Sequence, residues 1–169
     1  MIGETDSDSF SVFVIFACIA ERDIVTEHRV EHIHTGDNDP RWNMPYTPAI
    51  KVTGGSTVYV SGVTAAPVYH SHPHVPDEFD TIPEDPGEQA ALAMENLRRV
   101  LEASGAGLGD IVQLIRFMVD QDRNQDAINQ VMGEYLGEHR ATSTSVEVVR
   151  LATDPRLVLE LQAIAVVPA

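Results

Sequence analysis

The sequence predicts an α+β domain in which two helices cover one face of a sheet. Three observations predict it: a well-capped amphipathic helix, a second shorter one, and apolar or β-branched runs around them in the order β-β-α-β-α-β-β. The 169 residues are close to one domain's worth, about 100–200 residues. Apolar residues make up 43% of the chain and charged ones 22%, enough for a core and too few charges for a disordered tail.

The elements follow in order. Residues 1–40 are heterogeneous and are read as an N-terminal extension, with residues 41–169 as the α+β domain. The apolar run Phe10–Ala20 is shorter than the roughly 20 residues that a membrane span needs. Glu4, Asp6 and Asp8 precede it without a Lys or Arg, whereas a secretory leader begins positive. A strand packed on the body, or a mis-assigned start codon, accounts for it. Gly36-Asp37-Asn38-Asp39-Pro40 marks a loop. Ala49–Val52 and Thr57–Val63 read as strands about the turn Gly54-Gly55.

Residues 64–85 carry four prolines, three histidines and five carboxylates, which predicts a long loop beside the pocket with little apolar area to anchor it. Asp85-Pro86-Gly87-Glu88 supplies an N-cap, a first-turn proline and the returning Glu of a capping box. Ala91, Met94, Leu97, Val100 and Leu101 then recur at helical spacing until Gly105. Ile111–Val119 is a strand and Asp126–Leu136 the second helix. Thr144–Leu151 and Leu157–Val167 complete the sheet.

Charge excludes whole classes of partner. Eleven Lys and Arg against 26 Asp and Glu give −15, which repels phosphate backbones and anionic membrane surfaces. No nucleic-acid or membrane partner is expected. The single cysteine, Cys18, cannot form an intrachain disulfide, and we read the protein as cytoplasmic.

Four patterns bear on chemistry. Gly105-Ala106-Gly107-Leu108-Gly109 follows a helix and precedes a strand, the reverse of a phosphate loop, so it is a helix cap and turn. His28-Arg29-Val30-Glu31-His32 matches a zinc-peptidase pattern, but Ile24, Val25, Val30 and Ile33 suggest a strand, where that chemistry cannot assemble. His70, His72 and His74 alternate, so neighbours stand roughly 6.6 Å apart in an extended chain; all three meet at a metal only if the chain bends. A solvated loop with no metal, whose histidines serve in acid–base or ligand contact, is preferred there. Glu160 and Gln162 interrupt the apolar strand Leu157–Val166 on one face, so Glu160 requires partners or a wet cavity. No nucleophile elbow or activated thiol is evident.

Several segments together resemble the YjgF/Rid family of reactive-intermediate deaminases. They are Pro45–Ala49, Val60-Ser61-Gly62, Asn96-Leu97 with Val100–Ala106, Gly109–Val112, Val146–Leu151 and Leu159–Val166, in family order across about three quarters of the chain. The resemblance implies a chorismate-mutase-like sheet with two helices on one face, a homotrimer with pockets between subunits, and cofactor-free hydrolysis of imines and enamines. It implies pocket roles for Tyr46, Ser61 and Asn129, with Glu160 orienting the attacking water.

One position departs from the family. The arginine that grips a substrate carboxylate is here Ser143, and a hydroxyl cannot replace a bidentate guanidinium. Arg116 and Arg140 are the substitutes in reach, and simple amino-acid-derived imines are expected to be poor substrates unless one of them serves. The loop 68–85 is also longer than in the family. The charge speaks against the ribonuclease label that some members carry.

The leading expectation is a hydrolase or deaminase acting on a small imine, enamine or amide-like metabolite without a cofactor. Glu160, Tyr46, His70 and His72 are its catalytic candidates; Ser61, Asn129, Ser143 and Arg116 are its substrate contacts. The alternatives are a non-catalytic small-molecule-binding trimer and, more weakly, a metal-dependent enzyme built on His70, His72 and His74.

Overall fold

The computed structural model describes residues 27–39, 41 and 43–169. The run Phe10–Ala20, Cys18, Ile24, Val25 and Pro40 lie outside the described residues. Strand β1 (Arg29–Ile33) pairs antiparallel with β2 (Ala49–Thr53), Arg29 opposite Thr53 and Ile33 opposite Ala49. A second sheet contains β3 (Ser56–Val63), β4 (Ile111–Met118), β5 (Thr142–Glu147) and β6 (Leu159–Val167) in the order β3-β6-β4-β5. Strand β6 is antiparallel to both neighbours, while β4 and β5 are parallel. A parallel pair needs a crossover, which helix α2 (Gln121–Leu136) supplies. Helix α1 (Pro86–Ala103) lies beside α2 on the same face, giving the α+β architecture expected. Among the described residues, no helix is long and apolar enough to cross a membrane.

Local chemistry fixes α1. The Asp85 carboxylate accepts a hydrogen bond from Glu88 N at 2.9 Å, and Pro86 occupies the first turn, where its missing N–H costs nothing. At the other end Ala106 N donates to Leu101 O at 2.9 Å, with Gly105 at φ +78°, a left-handed turn suited to glycine. The glycine-rich stretch after α1 is thus a helix exit. Met94, Leu97 and Leu101 of α1 and Ile128 and Met132 of α2 pack on the sheet. They meet Leu159, Leu161, Ala163 and Ala165 of β6, which alternate with Glu160, Gln162 and Ile164 on the face away from the helices.

Gln89 ties the base of α1 to two loops. Its side chain is fully buried; Nε2 donates to Pro83 O at 2.9 Å and to Arg156 O at 2.8 Å, while Oε1 accepts from Val158 N at 2.9 Å.

Three expectations need correction. The segment 64–85 is anchored after all: Ala65, Ala66, Phe79 and Ile82 form a second apolar cluster with Leu151 and Leu157. Phe79 is only 2% exposed, and it ends a 3₁₀ turn over Pro76–Phe79. Helix α2 begins at Gln121, five residues before the expected Asp126. Gln121–Gln125 holds no apolar residue and so carries no periodicity, yet buried Asn124 closes the corner by donating to Val119 O at 2.8 Å. Strand β5 covers Thr142–Glu147 and stops short of Leu151, because the chain leaves the sheet to bury Leu151 in the second cluster while Val149 stays 97% exposed.

Candidate functional site

The register between β3 and β6 shifts at a bulge. Val60 pairs with Ala163 and Val63 with Leu161, so Ser61 and Gly62 together face the single residue Gln162. The bulge brings the Gly62 backbone under the Glu160 side chain. A Cβ at Gly62 would overlap Glu160 Oε1 and stand 2.8 Å from Cδ, so only glycine leaves room for the carboxylate. Ser61, Glu160, Thr153 and His70 line a cavity of about 440 Å³. Burial raises the Glu160 pKa above the ordinary carboxylate value of 4.5, with no hydrogen bond or charge among the described residues opposing it.

A second cavity of about 320 Å³ opens beside α2 and β5. Tyr46, Arg116, Asn129 and Ser143 all line it, with Met132 and Leu136 as apolar wall. Parallel pairing sets Arg116 opposite Ser145 and Leu114 opposite Ser143. Arg116 Nη1 donates to Asn129 Oδ1 and Nη2 to Ser145 Oγ, each at 2.5 Å. Its Nε is buried and has no partner among the described residues. Burial lowers the Arg116 pKa, but a guanidinium stays charged at any physiological pH, so the cavity carries a fixed cation. Arg140 lines the same cavity but donates to Met44 O at 3.2 Å, Gly137 O at 2.6 Å and His139 O at 3.0 Å, which holds it in place.

The expected site residues therefore fall into two sets. Tyr46, Asn129, Ser143 and Arg116 share one cavity; Ser61, Glu160 and His70 share the other. Arg116 reaches α2 on the helix-covered face of the sheet, while Glu160 lies on the opposite face. His72 lines neither cavity and packs against His70 and His74. His28 and His32 flank and enter β1, where such spacing means about 13 Å, and His32 bonds Thr47 Oγ1 at 2.9 Å. Sequence reasoning assigned no role to Gly62 or Ser145. Their importance comes from a bulge and a parallel register, for which the sequence has no local signal.

The sequence model of the family described as Endoribonuclease L-PSP matches residues 37–167. A RutC family protein of Pyrococcus abyssi is 34% identical over 122 residues, 72% of this chain and 85% of its own. The 2-iminobutanoate/2-iminopropanoate deaminase of Salmonella typhimurium is 34% identical over 114 residues, 64% of this chain and 86% of its own. Among solved structures, Escherichia coli TdcF with bound serine superposes with a TM-score of 0.55 at 31% identity, covering 73% of this chain and 89% of that one. The Rid family protein YyfB of Yersinia pestis superposes at 0.67 with 24% identity, covering 82% and 98%, a likeness of fold. A family match across both cavities, relatives aligned over most of their length and the same α+β sheet lead to one conclusion: the chain belongs to the YjgF/Rid family, with a deaminase among its relatives.

Proposed function

We propose that the protein is a cofactor-free deaminase of small imines or enamines that carry a carboxylate, working at a pocket closed between copies of the chain. The observation that carries this reading is the desolvated Glu160 carboxylate poised above Gly62 in a cavity that also holds Ser61. A half-buried carboxylate of raised pKa, with no ion pair among the described residues, suits a general base that orients and deprotonates the attacking water. An enamine first tautomerises to the imine. Water oxygen then adds to the C=N carbon while one water proton passes to the nitrogen. The resulting carbinolamine passes its hydroxyl proton to the nitrogen as the C–N bond breaks, so that ammonia leaves and the carbonyl forms.

Arg116 then takes the place of the arginine that Ser143 lacks, reaching the same cavity from the neighbouring strand. Asn129 and Ser145 hold its guanidinium, and Tyr46 flanks it. Because Arg116 and Glu160 act on opposite faces of one sheet, a single substrate touches both only if a second copy brings its own half. A sheet with helices on one face alone, and Tyr59 78% exposed on the other, suits such an assembly. The trimer is the closed form we propose.

Two results test this. Ammonia release from imines generated by an amino-acid oxidase is expected to weaken in Arg116→Leu by roughly 10- to 150-fold in kcat/KM, the cost of a lost charge-assisted contact. Adding Ser143→Arg to that variant should restore much of the loss. Wild-type release no faster than buffer would move the protein to a non-catalytic binder, and a stable monomer in light scattering would remove the shared pocket.

Gly62→Ala separates chemistry from folding. Its methyl meets only the end of a flexible side chain, so the melting temperature should hold while the carboxylate is displaced. Turnover should fall by up to about 100-fold, the scale of a 1 Å misplacement. A large loss of melting temperature with unchanged turnover would make the contact structural.

A further inference from the structure

We propose that His70, His72 and His74 form a binding site for a divalent zinc-type ion, separate from the hydrolytic chemistry proposed above. The chain after Val68 turns back on itself, and one ring nitrogen from each histidine lies within 4.8 Å of those of the other two. The ring centroids form an almost equilateral triangle, with separations of 4.9, 5.0 and 4.9 Å. Imidazoles bound at about 2.0–2.1 Å place their centroids about 4.5 Å apart at right angles and about 5.2 Å apart at tetrahedral ones. The triangle falls between these values. An extended solvated loop would instead hold the outer pair roughly 13 Å apart.

The surroundings are those of a ligand set. His70 Nδ1 lies 3.0 Å from Pro67 O; a carbonyl only accepts, so Nδ1 carries the proton and Nε2 keeps its lone pair for a metal. Phe79, buried in the second apolar cluster, stands edge-on to His70 at 5.2 Å and to His74 at 5.4 Å. The Glu78 carboxylate accepts from both Ser71 N and Ser71 Oγ at 2.7 Å, fixing the residue between two ligands. The same Glu78 contacts hold a carboxylate beside the histidines, and its negative charge favours a cation there. An all-imidazole set suits zinc and its transition-metal neighbours over magnesium or calcium. Three protein ligands leave at least one position for water or a small anion. Ligation would also withdraw His70 from acid–base work in the Glu160 cavity.

The test uses the untagged full chain, stripped with chelator and titrated with Zn²⁺ alone by calorimetry. One ion per chain at a dissociation constant of about 10 µM or tighter is expected. His72→Ala/His74→Ala, at exposed positions, should weaken binding by about 100-fold or more, since even an outer partner is worth about 10–100-fold. Glu78→Gln should cost about 10-fold as a positioning change. His32→Ala/His34→Ala should bind as wild type does. If the double variant misfolds, Co²⁺ added to the wild type should shift the imidazole proton resonances of His70, His72 and His74 and leave those of His32, His34 and His139 in place. Weaker wild-type binding, equal binding by the folded double variant, or paramagnetic shifts at other histidines would overturn the site.

Discussion

Glu160→Gln is expected to lower imine turnover by about 100- to 10,000-fold, the usual contribution of a positioned base. Glutamine keeps the size and hydrogen-bonding shape of the side chain, so the cavity and its bulge survive. The stability effect has the opposite sign. Burial raises the Glu160 pKa above 4.5, so the native state holds its proton more tightly than the unfolded chain does. The wild type therefore loses stability as pH rises from about 4.5 through the raised value, and Glu160→Gln does not. Turnover follows the reverse course, rising with pH as the base form appears. A variant that is inactive yet at least as stable at neutral pH marks a functional carboxylate. One that unfolds early would mark a structural carboxylate. Thermal melts and ammonia release between pH 4 and 8 read both effects from one set of samples.

Gln89→Leu is expected to be a strongly damaging single change to the fold among the described polar positions. The replacement leaves Pro83 O, Arg156 O and Val158 N without their partner in a part-buried site, and each orphaned group costs about 1 kcal/mol, the low end of the range for buried groups. A total of about 3 kcal/mol lowers the melting temperature by roughly 6–12 °C for a chain this long. Gln89→Glu provides the electrostatic counterpart. It retains an acceptor for Val158 N but aims the second oxygen at two carbonyls, so its defect should deepen as pH rises through the carboxylate range. Chemical denaturation at pH 4.5 and 7.5 distinguishes the two, and a Gln89→Leu cost below about 0.5 kcal/mol would show that the loops need no such tie.

How far the sequence could be read depended on whether a signal was local. Asp85, Pro86 and Glu88 announced α1 because capping chemistry acts over three residues, and the alternation from Leu159 to Ala165 announced β6. The start of α2 was hidden because Gln121–Gln125 is polar and its helix is held by Asn124 at a tertiary corner. The anchoring of the histidine loop was hidden too. Phe79 and Ile82 are sparse among charges and prolines, and their partners Leu151 and Leu157 lie some 70 residues away. Within the candidate site, Glu160, Tyr46 and Asn129 were expected through family resemblance, and Arg116 was already named as a substitute for the arginine missing at Ser143. What the sequence could not show was the parallel β4–β5 register, which sets Arg116 beside Ser145 rather than Ser143. The closeness of Gly62 to Glu160 likewise depends on a bulge.

The separation of Glu160 and Arg116 onto opposite faces of the sheet has a genetic consequence. In the trimer proposed above, a pocket completed by two copies is owned by neither, so a chain defective in one half remains a competent donor of the other. Co-expressed Glu160→Gln and Arg116→Leu chains, each impaired alone, would in that trimer assemble into mixed rings in which about one interface in four joins two intact halves. Two defective alleles would then complement one another in a heterozygote. A chain carrying both substitutions would instead act as a dominant poison, spoiling the interfaces on both of its sides.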